Sequence, residues 1–509
     1  MFFLPFMDLL SLPSLSALVL LAAALWFSSS RRRNPPGNLP PGPLNLPVIG
    51  CLHKLGSLPH ISLHKLSKRY GDVMHLKLGS VSTLIISSER AAREIFKRHG
   101  LEFASRAPLI CGKYFGNDYS GLVFSQYTPE VKLYRKLINT HLLSPTKLKS
   151  YDGIRREEQR RLARSLSDER GNPVLLRQKL HNMNMNVITY MLFGKRFCGH
   201  YKNTANVDEF VQTVVEMVRL AGIFNVSDYI PGIRWLDVQG LEKKYKQLMN
   251  RANRHLLGIL RDRRGDPPVF TSEEPMSFID VLISMGEKLS DTTKITLLLD
   301  VLMGAVDTSA LSLEWAMAEL FRHPAEFLKV QNQIDSIVGK EKLVDESDIA
   351  KLPYVEAIAK ETMRLRSVVP LALPKIVQGG PIELDGYTLP DGTVIYISSY
   401  SIGLDERFWK DPLEFRPQRF IDLPDIDVFG QNFNLLPCGS GRRVCPGAKL
   451  GFDAVQMGIA ALVQGFDWKL DGDLDDPAKL NMDQTFGLVC QKSQPLVAIP
   501  IPKLDSHVY

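Results

Sequence analysis

The sequence predicts a mainly α-helical protein with a smaller β-rich lobe, preceded by an N-terminal transmembrane helix. Three observations carry that reading. Stretches with helical spacing, 155–263 and 290–323, take up much of the chain. Runs that are β-branched or alternate apolar with polar residues, at 73–78, 82–86 and 382–397, are short and few. Residues 9–27 carry no charged side chain, and 17–27 are apolar throughout.

That apolar run is long enough to cross a bilayer, which takes about twenty residues. Arg31, Arg32 and Arg33 follow it directly, so the positive-inside rule puts the N-terminus in the lumen and the rest of the chain in the cytosol. A cleaved signal peptide is the alternative, favoured by Ala22–Ala24, but no basic residue precedes the apolar run. Residues 1–30 are therefore read as a membrane anchor. Pro35, Pro36, Pro40, Pro41, Pro43 and Pro47, with Gly37, Gly42 and Gly50, make 31–50 a basic, Pro-rich hinge that cannot be helix, or else a disordered linker.

The net charge of +7 over 509 residues is too mild and dispersed for nucleic acid, but suits an anionic membrane surface or an acidic protein partner. The six cysteines, at 51, 111, 198, 438, 445 and 490, show no secreted-type framework and read as reduced, cytosol-facing thiols. Val73–Leu78 and Ser82–Ile86 read as strands paired around Gly79-Ser80, and Ala91–His99 as a helix. Phe103–Pro129, with Pro108, three glycines and six aromatics, reads as a long structureless loop of the kind that is usually functional. A helix beginning near Pro129 carries Lys132, Arg135 and Lys136. The helical region 155–263 breaks near Asp228–Gly232, and 264–275 is a charged linker.

A long helix, capped at Ser290 or Asp291 and ending before Pro324, is apolar nearly all round and so is buried. Within it Gly304-Ala305-Val306-Asp307-Thr308-Ser309 places a glycine, an acid and two hydroxyls where each costs stability, so something compensates. Farther on, Glu361 and Arg364 share one helix face, and Pro417-Gln418-Arg419-Phe420 follows. Val368–Lys375 can form a strand edge, Ile382–Ile397 reads as hairpins, and Thr485–Val489 as a turn.

The most informative stretch is Leu436-Pro-Cys-Gly-Ser-Gly-Arg-Arg-Val-Cys-Pro-Gly447. Its glycines let the backbone lie flat against something large, and Pro446 is placed to begin a helix, which puts Cys445 at a helix N-terminus where thiolate is favoured. A thiolate ligand to haem iron, with Arg443 to meet a propionate, explains the whole stretch. A structural cysteine in a glycine-rich loop is the plainer alternative.

These residues resemble the haem-ligand loop of the cytochrome P450 superfamily, Phe-x-x-Gly-x-Arg-x-Cys-x-Gly. Gly441, Arg443, Cys445 and Gly447 match it, while Cys438 stands at the Phe position and adds a rival ligand. The resemblance spans roughly residues 40–503 and implies the cytochrome P450 fold, with 51–509 as one haem-thiolate catalytic domain. It implies haem b (iron protoporphyrin IX) bound through Cys445, with Arg443, Gly441 and Gly447 in its loop. Lys132 and Arg135 stand where the family shows Trp-Arg-x-x-Arg, and with Lys375 they are implied to lie near the propionates. Asp307 and Thr308 match the acid-alcohol pair that relays protons to dioxygen. Glu361, Arg364 and Arg419 match a structural triad. Ala305, Val369, Leu371 and Phe486 fall in segments that line the family's substrate pocket.

The resemblance further implies a monooxygenase of the endoplasmic reticulum membrane, single-pass with its catalytic domain in the cytosol. Electrons come from NADPH through a membrane-bound NADPH-cytochrome reductase, and the substrate is a small lipophilic molecule. Arg234-Trp235-Leu236-Asp237 is similar to plant phenylpropanoid and flavonoid hydroxylases. Two other functions fit the same motifs: a haem-thiolate enzyme of oxidative phenol coupling, and a non-enzymatic haem sensor.

Overall fold

A computed structural model describes residues 38–199, 204–266, 276–470 and 476–509, with side chains from 208 in the second stretch. The expected membrane helix at 9–27, the arginines that follow it, and most of the 264–275 linker lie outside the described residues.

Helices dominate, as their caps and periodicity require. Pro59–Tyr70 (α1) precedes an antiparallel hairpin of Val73–Leu78 (β1) and Val81–Ile86 (β2), turned at Gly79-Ser80. Glu89–Lys97 (α2) is capped by Ser88, whose hydroxyl accepts from the Ala91 amide. Ile110–Phe115 (α3) falls inside the stretch expected to be structureless, 103–129. Gly112, one of that stretch's three glycines, lies within α3, where only a residue without a side chain leaves room for Phe124, whose Cβ an added Cβ would meet at 2.8 Å. Pro129–His141 (α4) starts on its proline, and Asp152–Asp168 (α5) follows. A short strand, Val174–Leu175 (β3), interrupts the expected helical region before Leu176–Phe193 (α6), which ends on left-handed Gly194. Thr204–Ala221 (α7) and Leu241–Gly265 (α8) flank the break at 222–240.

The axis of the molecule is Asp291–Arg322 (α9), with Ser290 accepting from the Thr293 amide and Pro324 beyond its end. By length and apolarity α9 could cross a membrane, but its most apolar window is 72% buried in protein, so it is a core helix. Pro324–Ile337 (α10) and Pro353–Leu365 (α11) pack beside it. Lys375–Ile376 (β4) and Val394–Ile397 (β5) complete a four-stranded sheet in the order β1-β2-β5-β4, with β2 and β5 parallel and β4 on the edge. Ala448–Gly465 (α12) crosses α9, and Phe466–Leu470 (β6) and Val497–Pro502 (β7) form a small sheet with β3 in the order β3-β7-β6.

The hinge residues from Asn38 to Gly50 are extended or turned and run along β1. The His75 amide donates to the Pro41 carbonyl (3.0 Å), and a Cβ on Gly42 would collide with the His75 carbonyl at 1.6 Å.

Candidate active site

Cys445 is held by local bonds. Its amide donates to the Cys438 carbonyl at 3.0 Å, and Gly441, with φ +68°, turns the chain beneath Phe96, where an added Cβ would meet Cδ1 at 3.0 Å. Helix α12 begins at Ala448 rather than at Pro446, since Pro446 and Gly447 form a turn ahead of it. The Cys438 thiol donating to the Cys445 sulfur, the Gly447 amide and Arg135 together bring the Cys445 pKa down against the opposing effect of burial. Cys438 itself is pushed up. The Cys445 side chain keeps accessible surface although protein surrounds it, so it faces an internal space.

Cations converge on that space. Arg443, buried, donates to the carbonyls of Ala104 (2.7 Å), Leu122 (2.8 Å) and Ser125. Arg135 donates to the Val444 carbonyl at 2.8 Å, and Arg106 to those of Leu373 (2.8 Å) and Val123 (3.2 Å). Lys375, on edge strand β4, is buried with its Nζ 5.5 Å from the centre of the Phe96 ring. Burial, then mutual repulsion, lowers Arg106 to about 9 and Arg443 to about 10, and holds Lys375 well below its usual value. Among the described residues none of these four forms a salt bridge with a carboxylate. A cluster of buried and half-buried cations calls for an anion, and the two propionates of a haem bound at Cys445 would fit that demand. Lys132 stands apart, exposed, with Nζ 5.3 Å from the centre of the Tyr127 ring.

From the other side comes α9. Gly304 is exposed and Ala305 and Thr308 partly so, within a helix otherwise almost wholly buried. Thr308 donates to the Gly304 carbonyl at 3.0 Å without breaking the helix. The α9–α12 crossing is close near this segment: a Cβ on Gly451 would come within 3.3 Å of Ser309 Oγ. Asp307 is 4% exposed, and burial raises its carboxyl to about 7. Its Oδ1 lies 3.4 Å from His181 Nε2 on α6.

Glu361, Arg364 and Arg419 meet in the core. The carboxylate accepts from Arg364 Nε (2.7 Å) and Nη2 (2.8 Å), from Arg419 Nε (3.0 Å) and from the Arg416 amide (2.8 Å). The guanidiniums also tie down the carbonyls of Gly403, Pro412 and Asp411. Leu371 and Phe486 line one cavity with Leu109, Phe224, Tyr229 and Tyr396. The Tyr229 and Tyr396 hydroxyls are 2.7 Å apart there, and the His60 ring stacks on Phe486. Ala305 and Val369 instead border the large apolar core around α9.

Sequence reasoning did not single out Arg106, His181 or the tyrosine pair. Their partners lie 160 or more positions away for the tyrosines and 126 for His181, counted from the residue numbers, so no local pattern announces them.

Cys445, the cations around it and the acid-alcohol segment of α9 are the residues that a haem-thiolate site would use. The chain belongs to the cytochrome P450 family, whose model, described as Cytochrome P450, matches residues 40–498. It is 38% identical to a flavonoid 3'-monooxygenase of Arabidopsis thaliana across 99% of both chains, and 38% identical to one of Petunia hybrida across 94% of this chain and 95% of the other. A flavonoid 3',5'-hydroxylase of Eustoma exaltatum subsp. russellianum is 35% identical over 95% and 94%. The protein is a cytochrome P450 monooxygenase.

Proposed function

We propose that this enzyme inserts one oxygen atom of dioxygen into a plant phenolic of the flavonoid or phenylpropanoid type, using electrons from NADPH passed by a membrane-bound NADPH-cytochrome reductase. The names of its relatives support the substrate class. In this reading residues 1–30 anchor the chain in the endoplasmic reticulum membrane, 31–50 form the hinge, and 51–509 are the cytosolic catalytic domain.

The observation that carries the reading is the set of cations near the space that Cys445 faces, Lys375 and Arg443 buried and Arg106 and Arg135 partly so, none of which forms an ion pair with a carboxylate among the described residues. Cys445 holds the iron of haem b, and the cations hold its propionates, with Gly441 and Gly447 letting the loop lie close. Lys132 adds positive charge at the surface of α4. Bound haem supplies the dioxygen chemistry. Thr308 offers a hydroxyl able to donate and accept, and Asp307 holds a proton near neutral pH because burial disfavours its anion. Ala305 and Val369 leave room on the haem side, and Leu371 and Phe486 shape the path by which substrate arrives. Glu361, Arg364 and Arg419 hold the core and take no part in chemistry.

Expression in microsomes with reductase, feeding of a plant phenolic library and mass analysis of products test the reading. A product heavier by one oxygen atom supports it. Loss of two hydrogens would mean phenol coupling, and no NADPH consumption on any substrate would mean a haem sensor.

A further inference from the structure

Asp307 is sealed from solvent, and a buried acid that spends its proton in each turnover needs a route by which it is refilled. Its Oδ1 has no hydrogen-bond partner, and neither does the His181 Nε2 that faces it from α6 at 3.4 Å. Two buried polar atoms of complementary chemistry, each unpaired and aimed at the other, are placed to exchange a proton once the carboxyl or the ring turns slightly. The imidazole differs from the carboxyl in one respect: its side chain keeps 15% of its surface exposed, against 5% for Asp307. The imidazole is therefore the more accessible of the two groups.

We propose that His181 is the residue through which solvent protons reach Asp307. This rests on the monooxygenase reading above and on the role given there to Asp307. Hydroxylation consumes dioxygen, two electrons from the reductase and two protons, and yields the hydroxylated substrate and one water. For each proton that leaves the Asp307 carboxyl, solvent protonates His181 Nδ1, the Nε2–H bond breaks, and its proton forms a new O–H bond on Asp307. The ring then turns outward, where solvent takes the Nδ1 proton and returns one to Nε2, and swings back to its first position in the Nε2–H tautomer.

The electrostatics suit this traffic. Burial raises the carboxyl to about 7, while burial and the nearby Arg177 lower the imidazole to about 4, so the pair rests neutral with its proton on Asp307. Arg177 is itself engaged by Glu314 at 2.8 Å and by the Lys492 carbonyl at 2.8 Å, and the Lys492 ammonium lies near Glu314 from the chain's C-terminal region. These are the charged groups around the pair. None of them offers Asp307 Oδ1 a hydrogen bond among the described residues.

The test uses the haem-loaded full chain in membranes with reductase. His181→Gln keeps a polar side chain beside Asp307 but cannot shuttle a proton, and His181→Ala removes the contact. Both are expected to lower kcat and product formed per NADPH on the order of 10²-fold with KM unchanged. Asp307→Asn is expected to do the same, and the double variant no worse, because the two residues act in series. A second readout needs no turnover: the ring nitrogen signals of His181, in protein labelled at histidine, should move as Asp307 titrates near pH 7, and Asp307→Asn should abolish that movement. Full activity in His181→Gln, or an additional loss in the double variant, would overturn the relay. Should Asp307→Asn also be fully active, the role assigned to Asp307 falls as well, so the two failures are distinguishable.

Discussion

Replacing Glu361 by Gln removes the one carboxylate that two buried guanidiniums share. Glu361 and Arg364 side chains are 0% exposed and Arg419 4%, so no water compensates for the lost charge. The carboxylate accepts four hydrogen bonds at 2.7–3.0 Å, and an amide can accept at only one of its two termini. Breaking a buried pair by removing one partner costs about 3–5 kcal/mol, against a total stability of about 5–15 kcal/mol. The guanidiniums keep their carbonyl partners, which puts the expected loss near the lower end. Glu406→Gln is the internal control: Glu406 pairs with Lys68 at 3.0 Å, but the two are 70% and 48% exposed, and such a pair is worth less than ~1 kcal/mol. Urea unfolding followed by helical circular dichroism should show a large fall in midpoint for Glu361→Gln and almost none for Glu406→Gln. Equal, small shifts in both would refute the claim that burial makes this triad structural.

Lys375→Met should act with opposite sign on the two forms of the protein. Burial and the neighbouring arginines hold the Lys375 pKa well below 10.5, so between that lowered value and 10.5 the unfolded chain binds the more protons and the haem-free fold gains stability as pH rises. Methionine removes that slope and stabilises the haem-free chain at pH 7, yet it speeds haem transfer to an acceptor apoprotein, read by absorption. Tyr396→Phe should cost about 1–3 kcal/mol by leaving the buried Tyr229 hydroxyl unpaired, while the Tyr229→Phe, Tyr396→Phe double variant costs less than the two singles summed, measured by urea unfolding.

Local chemistry made the main helices legible. The hydroxyl of Ser290 and the proline at 324 bracket α9 at the expected limits, and β1, which mixes apolar with polar residues, pairs around Gly79-Ser80 with the β-branched-rich β2. Helix α3 escaped because its glycine at 112 reads locally as irregular chain, whereas in the fold it makes room for Phe124. The start of α12 moved from Pro446 to Ala448 because Pro446 and Gly447 form a turn that brings the Gly447 amide to the Cys445 sulfur. Spacing put Glu361 and Arg364 on one face, and burial, which spacing does not show, separates this pair from a surface ion pair. Arg106, in Ser-Arg-Ala-Pro, has no sequence signal, since its place among the cations depends on the 105–107 segment meeting β4.

The central claim is that Cys445 ligates haem iron. The absorption spectrum of the reduced, carbon monoxide-bound full chain tests it most directly, recorded for the parent, Cys445→Ser and Cys438→Ser. The thiolate-type spectrum should survive in Cys438→Ser and vanish in Cys445→Ser. Its loss in Cys438→Ser with survival in Cys445→Ser, or a nitrogen-ligated spectrum in the parent, would contradict the account.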